Sequence, residues 1–184
     1  MRKRMQGIVG IVVLLAALLG ALTGALGAEL WSDAADTSWF SQQHAGTEAD
    51  PYLIETAEQL AGLAKLVSDG NSFEDKYVLL TRNISLAGKD WIPIGIGVSG
   101  GFDIDVEKSR CFLGTFDGGA HVVEAMAIRR NNPSPCTGLF GALPLKGTVR
   151  NVTLMGSVFN NVGPWTGGIV GWTAGTVLNC IASC

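Results

Sequence analysis

The stretch Phe112–Cys184 decides the fold, because it contains one short pattern three times: VEAMAI at 123–128, VRNVTL at 149–154 and VLNCIA at 177–182. Each copy has apolar residues at its first, fourth and sixth positions, and the intervals between the copies are nearly equal. Short β-type runs between glycines, recurring at a period of about 20–50 residues, are typical of a solenoid. The sequence therefore predicts an all-β solenoid, a parallel β-helix whose repeated apolar positions stack inside its coils.

The polar positions of the pattern carry a second prediction. Asn151 and Asn179 occupy the same place in successive copies, and Ala125 interrupts the series in the copy before them. Two interpretations remain open: the amides stack as a short ladder from coil to coil, or both residues are ordinary turn residues.

An earlier and degenerate copy of the pattern lies upstream, with Thr81, Ile84 and Leu86 at its three apolar positions. The interval from Thr81 to Val123 is clearly longer than the intervals between the later copies. The coils are therefore expected to span residues 77–184, with an insertion protruding at about 90–111.

Residues 51–76 predict a strand followed by a helix. Thr56 and Gln59 have the spacing of a capping box, and the apolar residues that follow recur at helical spacing until Gly70 ends the helix. We expect this helix to cover the first coil, because a solenoid must shield its apolar end and its unpaired strand edge. The residues expected to face the β stack are Leu60, Leu63, Leu66 and Val67.

The N-terminus has the features of an export signal. A basic cluster at Arg2–Arg4 precedes an uncharged run from Ile8 to Ala28, which ends in small residues. Residues 1–28 are therefore predicted to be a cleaved signal peptide, with a retained membrane anchor as the alternative, because the run is long enough to span a bilayer. Residues 29–50 form an extended lead-in whose aromatic residues, Trp31 and Trp39 among them, either pack on the first layer or stack on sugar.

Composition excludes several classes of function. Removing residues 1–28 takes away three of the 13 basic residues and none of the 16 acidic ones, which leaves a net charge of −6. Nucleic-acid binding is not expected of such an acidic chain. His44 and His121 are far apart and the cysteines lack a CxxC spacing, so neither a zinc site nor any other cofactor is predicted.

The insertion contains two motifs that resemble ligand-binding loops. Residues 95–100 match GxGxxG, but no βαβ unit surrounds them, so a cofactor loop is not predicted. Asp103, Asp105 and Glu107 alternate in a short acidic run that could offer oxygens to calcium; a solvated loop is the favoured interpretation.

The cysteines gain meaning from the predicted repeat. Cys111 precedes Val123 by almost the same interval as Cys136 precedes Val149, so the two cysteines are expected over one another on adjacent coils. Stacked strands are about 4.8 Å apart, within the range that a disulfide tolerates. A Cys111–Cys136 disulfide is predicted, with two thiols as the alternative.

The glycine-bounded tetrapeptides before the later copies resemble the GLUG-motif repeats of bacterial surface proteins, which are associated with IgA-specific metallopeptidases and large adhesin-like proteins. Upstream segments, including Trp91–Gly95 and Phe112–Gly118, look like the usual lead-in to such repeats. The resemblance implies a right-handed β-helix of the pectate-lyase-like kind; the peptidase domain with its HExxH motif is absent from this sequence. The two tetrapeptides are Gly138, Leu139, Phe140, Gly141 and Gly168, Ile169, Val170, Gly171.

Three hypotheses for function follow. The first is an exported bacterial cell-surface module that binds glycan or protein without catalysis, with contacts at Trp165, Trp172 and the insertion; packing of Trp172 on Trp165 is the structural alternative. The second is a carbohydrate-active enzyme, which needs carboxylates that converge on one strand face; Asp117, in a Phe-Asp-Gly turn, is instead interpreted as a structural residue. The third is a purely structural fragment. The membrane is expected to be a partner only through an uncleaved N-terminal segment.

The sequence reaches Cys184 inside an expected strand, without a polar closing element. Because a solenoid needs a cover at both ends, we expect either a longer protein or an open edge that pairs with another chain.

Overall fold

The computed structural model describes residues 29–41, 44–101, 103–129, 134–160 and 163–183. These ranges contain the α-helix α1 (Ala57–Ser68) and two 3₁₀ helices (Trp31–Ala34 and Ser38–Ser41). The predicted signal or anchor at residues 1–28 lies outside them. No helix within the described ranges is long and apolar enough to span a bilayer. The strands are β1 (Tyr52–Ile54), β2 (Tyr77–Leu80), β3 (Ile84–Ser85), β4 (Thr115–Asp117), β5 (Val122–Glu124), β6 (Ala127–Ile128), β7 (Cys136–Thr137), β8 (Phe140–Leu143), β9 (Thr148–Arg150), β10 (Thr153–Met155), β11 (Val158–Phe159), β12 (Trp165–Thr166), β13 (Val170–Thr173), β14 (Thr176–Leu178) and β15 (Ile181–Ser183).

The strands wind into a parallel β-solenoid of about four turns, which confirms the predicted fold class. One sheet has five strands in the order β1-β2-β4-β9-β14, and a second has four in the order β15-β10-β5-β3. Three two-stranded sheets complete the circuit, pairing β6 with β11, β7 with β12 and β8 with β13. The strands of each sheet are parallel, as successive coils require.

Stacked apolar side chains fill the interior. In the five-stranded sheet Val78, Phe116 and Val149 lie in register, and at most 1% of any of them is exposed. The ring centroids of Phe116 and Phe140 are 5.3 Å apart, so neighbouring sheets are locked together by aromatic contacts. The repeated apolar positions therefore encode the core of the coil.

The register predicted for the first of the three copies is wrong. Val123 pairs with Leu154, not with Val149, whose partners are Phe116 and Val177. The copies at 149 and 177 do stack as predicted, with Val149 opposite Val177. The earlier copy is out of phase because the corner between Phe116 and Val123 is longer than the corner between Val149 and Leu154 on the next coil.

Glycines form a column where coils approach most closely. Gly141 donates its N–H to the Ile94 oxygen at 2.9 Å, and a Cβ on Gly141 would overlap the oxygen of Gly95. On the next coil, a Cβ on Gly171 would lie 2.6 Å from the nitrogen of Thr137. The last glycine of each tetrapeptide is therefore a position where only a hydrogen atom fits between coils.

The helix α1 begins as the sequence predicts. Thr56 Oγ1 accepts from the Gln59 N–H at 3.2 Å and Gln59 Oε1 accepts from the Glu55 N–H at 2.8 Å. Leu60, Leu63 and Val67 are buried in the main core and Leu66 packs against it. Because α1 follows β1, the outermost strand of its sheet, the helix lies at the end of the stack where a cover is needed.

Two segments differ from their predicted form. The lead-in contains the two 3₁₀ helices, and Leu30 makes a parallel bridge to Asp90, which in turn bridges Ala127 of β6. The insertion is narrower than 90–111, because Asp90 and Ile94 make parallel bridges to Ala127 and Phe140. Only the part beyond residue 95 leaves the coil.

Candidate binding surface

The insertion folds into a hairpin over residues 96–110. Ile96 and Arg110 exchange backbone hydrogen bonds of 2.7 and 3.0 Å, and Ser99 bridges Ile104 in the antiparallel sense. Ser109 holds the two arms of the loop together, since its hydroxyl donates to the backbone oxygen of Asp105 at 2.6 Å and accepts from the Val98 N–H at 2.8 Å. The hairpin is therefore an ordered element that is held together by its own hydrogen bonds.

The hairpin packs on the coil through a second, smaller core. This cluster consists of Ile104, Cys111, Cys136 and Ala142, each at most 7% exposed. Phe140 and Leu143 of the same strand β8 belong to the main core, so β8 makes apolar contacts on two sides. The hairpin therefore covers part of the outside of the solenoid.

The two candidate tryptophans continue this cluster on the next coil. Trp165 is in register with Cys136 and Trp172 with Ala142, and both indoles are half-buried against the cluster, as is Leu113. We call Leu113, Trp165 and Trp172, together with the hairpin 96–110, the hairpin–tryptophan surface. Two aromatic rings are thereby held on consecutive strands, each with part of its face exposed.

The acidic residues of the hairpin are engaged locally. Asp103 Oδ1 accepts from the N–H of Ile104 at 2.8 Å. Asp105 accepts from the Lys108 backbone and forms a 2.6 Å ion pair with Lys108 Nζ, whose hydrogen bond holds the pKa of Asp105 below its ordinary value. Glu107 is exposed. Across the described ranges no three His, Cys, Asp or Glu side chains are grouped so as to hold a metal ion.

The two cysteines meet, but not in the manner predicted. Both are buried thiols of the small cluster, and the structure has no bond between them, which differs from the predicted disulfide. The spacing argument relied on the register of Val123, which is wrong. Cys111 directly follows the hairpin, whereas Cys136 lies in β7. Burial raises the pKa of each thiol to about 11, and for Cys136 the neighbouring Cys111 adds to the effect.

Asp117 belongs to a different cluster, at the corner between β4 and β5. Its Oδ2 accepts from Arg150 Nε at 2.7 Å, and its Oδ1 accepts from Asn151 Nδ2 and the Gly119 N–H, both at 2.9 Å. Asn179 Nδ2 in turn donates to Asn151 Oδ1 at 3.3 Å. Asp117 is in register with Arg150, not with Asn151, and it joins this ladder only through its side chain. Asn151 and Asn179 are also turn residues, with φ of 56° and 52°.

This corner makes folding stability depend on pH. Burial raises the pKa of Asp117, but hydrogen bonds from Asn151, Gly119 and Arg150 outweigh it and hold the pKa below its ordinary value. A carboxylate with a depressed folded-state pKa stabilises the fold above its unfolded pKa of about 3.9, and that contribution is lost as pH falls through the folded value.

We expect Asp117→Asn to lower the free energy of unfolding near pH 7 by about 1.5–3 kcal/mol, the usual contribution of hydrogen bonds to a charged group. Because the wild-type carboxylate is itself neutral in strong acid, the difference should shrink as pH falls from about 5 toward 2. Urea denaturation at several pH values measures it. Asp103→Asn, a change at an exposed carboxylate, is the control; a deficit for Asp117→Asn that stays constant with pH would contradict the assignment.

Two of the open clefts border α1. One, of about 240 Å³, lies between α1 and the first coil and is lined by Trp31, Trp91 and the Lys65–Asp69 ion pair. Both indole nitrogens there already donate to backbone oxygens, of Leu86 and Leu139. The other, of about 150 Å³, separates the end of α1 from the hairpin and includes Arg110 and Leu113. It adjoins the hairpin–tryptophan surface.

Fold and surface together define a parallel β-solenoid with a helical cover at one end and a hairpin on its side.

No protein-family model matches the chain, and no solved structure gives a significant match. The chain is 31% identical over 123 residues to a protein of Evansella cellulosilytica named as a Gly-rich membrane protein, covering 66% of this chain and 13% of that protein. It is 30% identical over 142 residues to halomucin of Haloquadratum walsbyi, covering 75% of this chain and 1% of halomucin. The chain thus spans a small fraction of the length of these curated relatives.

The sequence singles out the two tryptophans as candidates, but it did not predict most of the residues that surround them. It gave no role to Ile104 or Leu113, and it did not connect Asp117 with Arg150. A signal for the second omission was present: Gly-Thr followed by an apolar residue occurs at 114–116, 147–149 and 175–177. Aligning those three segments places Asp117 beside Arg150, as the strand register does.

Proposed function

We propose that this chain is an exported cell-surface module that binds a glycan or protein ligand, or holds neighbouring surface proteins in place, without catalysing a reaction. The observation that carries the proposal is the pair Trp165 and Trp172, half-buried on consecutive strands beside the hairpin. Tryptophans anchored on one face present a rigid apolar ring with a polar N–H at small entropic cost, and they dominate binding energies at interfaces.

The similar proteins support a place at the cell exterior. One is named as a membrane protein and the other as halomucin, and both are many times longer than this chain. The resemblance to GLUG-motif repeats of bacterial surface proteins, read from the two glycine-bounded tetrapeptides, points the same way. A rigid solenoid coil within a long surface protein serves to position a contact surface away from the cell.

The arrangement of carboxylates favours binding over the alternative of a carbohydrate-active enzyme. Glycoside hydrolysis needs two carboxyl groups within about 5–9.5 Å across one bond. Asp117 contacts Arg150 and Asn151 at a corner of the coil, whereas Asp103 and Asp105 make their hydrogen bonds within the hairpin. Arg129 contacts Asp90, and Arg130 lies outside the described residues. These groups have separate partners.

The test is a screen of the full chain against a glycan array and a panel of extracellular proteins. For each ligand found, we expect Trp165→Ala and Trp172→Ala to weaken binding by about 30-fold or more, the effect of losing an interface anchor of about 2 kcal/mol. Phe159→Ala, at a half-buried aromatic residue that packs on the main core instead, is the matched control.

Two outcomes would contradict the proposal. In the first, both tryptophan variants bind the ligand as tightly as the wild type does. In the second, the chain shortens a polysaccharide and Asp117→Asn abolishes that activity, which would favour the enzyme. Circular dichroism of each variant separates loss of binding from loss of fold.

A further inference from the structure

A groove runs along the side of the solenoid next to the end of α1, and it consists of two clefts that share Leu113 as a lining residue. The first is the cleft of about 150 Å³ beside Arg110, and the second, of about 270 Å³, extends from Leu113 to Lys146. Ligand pockets usually measure about 300–1,000 Å³. Each cleft alone would therefore hold one chemical group, whereas the two together have the size of a ligand site. We call them the helix–hairpin groove.

Arg110 is a cation that the rest of the protein leaves unengaged. Of the nine Lys and Arg side chains in the described ranges, the other eight contact a carboxylate or a backbone carbonyl. The exposed Arg110 guanidinium has neither a hydrogen bond nor an ion pair with any of the described residues. Residues 29–184 have a net charge of −6, so carboxylates are plentiful in this chain. An arginine without one is available to an anion from outside.

The position of the Arg110 guanidinium is set by both walls of its cleft. The Arg110 backbone exchanges hydrogen bonds with Ile96 at the base of the hairpin, and a Cβ on Gly70 would lie 3.5 Å from Arg110 Nη1. The end of α1 does not need this arginine, because its carbonyls already accept from the N–H groups of Asp69, Gly70 and Asn71. The donors of the guanidinium therefore remain for a ligand, and their planar fork matches a carboxylate.

The other end of the groove offers hydroxyl groups and charges of both signs. Tyr77 and Thr115 line it, and neither side-chain hydroxyl forms a hydrogen bond within the described residues. Lys146, which pairs with Glu74, and Asp75 line it as well. Together these side chains can both donate and accept hydrogen bonds, which suits the hydroxyl groups of a ligand. The groove thus matches a chain that bears a carboxylate among many hydroxyls.

An extended peptide fits this groove less well, because the strands that border it have no unpaired edge. Peptides bind along sheets by adding a strand to such an edge, but β2 and β4 are each paired on both sides. The backbone N–H of Leu113 already donates to the Ser72 oxygen at 2.7 Å, and that of Thr115 donates to the Lys76 oxygen at 2.8 Å. Recognition in the groove must therefore come from side chains.

We propose that the helix–hairpin groove binds an acidic glycan, with a sugar carboxylate on Arg110 and sugar hydroxyls on Tyr77 and Thr115. The proposal rests on the proposed function, because it names the class of glycan that such a surface module binds. It does not rest on Trp165 and Trp172, which do not line the groove.

Calorimetric titration of the full chain with a hyaluronan hexasaccharide, which carries a carboxylate on alternate sugars, and with the methyl ester of the same sugar tests the groove. We expect the acid to bind about 10-fold or more tightly than the ester, the effect of a hydrogen bond between charged groups. Arg110→Ala should bind acid and ester equally, and Arg110→Lys should recover part of the difference. Sialyllactose and its ester, titrated in parallel, distinguish a terminal acidic sugar from one within a chain.

Thr115→Val tests the other end of the groove, since it removes the hydroxyl and keeps the branched shape of the side chain. It should weaken binding of acid and ester alike, by about 2- to 10-fold. Arg82→Ala is the matched control for Arg110→Ala, because Arg82 is an exposed arginine that contacts Glu55 outside the groove. Circular dichroism of each variant separates loss of binding from loss of fold.

The contradicting results are distinct. Failure of both acidic sugars to bind at millimolar concentration would overturn the proposal, as would equal weakening by Arg110→Ala and Arg82→Ala. An acidic protein that binds through Arg110 while neither sugar binds would also overturn it. If the sugars bind and only Trp165→Ala and Trp172→Ala weaken them, the groove proposal fails while the proposed function stands. If only Arg110→Ala weakens them, the groove proposal stands and the tryptophans are not the anchors of the ligand.

Discussion

Replacing Phe140 with alanine is expected to lower the free energy of unfolding by about 3–5 kcal/mol, the usual cost of removing a buried phenylalanine ring. Phe140 is fully buried, and its ring centroid lies 5.6 Å from that of Phe112 and 5.3 Å from that of Phe116. Phe116 lies in β4 and Phe140 in β8, so the ring contacts join two different sheets across the bore. The cavity left by alanine would therefore loosen the coil across its whole width.

Chemical denaturation of Phe140→Ala beside wild type measures this effect. Leu145→Ala is the control, since its side chain is 81% exposed and such surface changes usually stay within about 0.5 kcal/mol. Similar losses for the two variants would mean that the ring cluster does not support the core.

Replacing Gly141 with alanine is expected to destabilise the fold by about 1–3 kcal/mol or more, although the added group is a single methyl. That methyl would overlap the Gly95 carbonyl oxygen on the preceding coil, while Gly141 donates its N–H to the Ile94 oxygen at 2.9 Å. Relief requires the two coils to move apart, which weakens the hydrogen bonds between them.

The matched control for Gly141→Ala is Gly100→Ala in the hairpin, where the nearest atom to an added Cβ would be 3.3 Å away. That change is expected to cost much less than Gly141→Ala, because the neighbouring atoms need to move by only a few tenths of an ångström. Thermal unfolding of both variants makes the comparison. If Gly141→Ala unfolds at the same temperature as Gly100→Ala, the coils have more room at the glycine column than the structure indicates.

The period of the coils and the capping helix could be predicted because each rests on local patterns. The copies at 149 and 177 stack with equal corners, so apolar spacing alone aligned them. The register predicted for the copy at 123 was wrong because Gly118–His121 lengthens the corner before it. Alternating apolar residues alone cannot show which sheet of the coil a strand belongs to. The Gly-Thr pairs at the starts of β4, β9 and β14 would have given the correct register.

The candidate binding surface was harder to predict because it depends on contacts between distant segments. Trp165 and Trp172 stand out by residue type, yet their position beside Ile104 follows from where the hairpin 96–110 lies. Glycines at 97, 100 and 101 interrupt any alternation in that hairpin. The thiol pair illustrates the same limit: Cys111 and Cys136 are neighbours because the hairpin returns over β7, not because their spacings to the repeat are similar.

The helix α1 joins the first coil to the main core through the buried side chains of Leu60, Leu63 and Val67. In a linear stack each coil is otherwise held by its immediate neighbours. A force along the axis would therefore separate later coils one layer at a time, whereas a force on the first coil must also extract the buried face of α1.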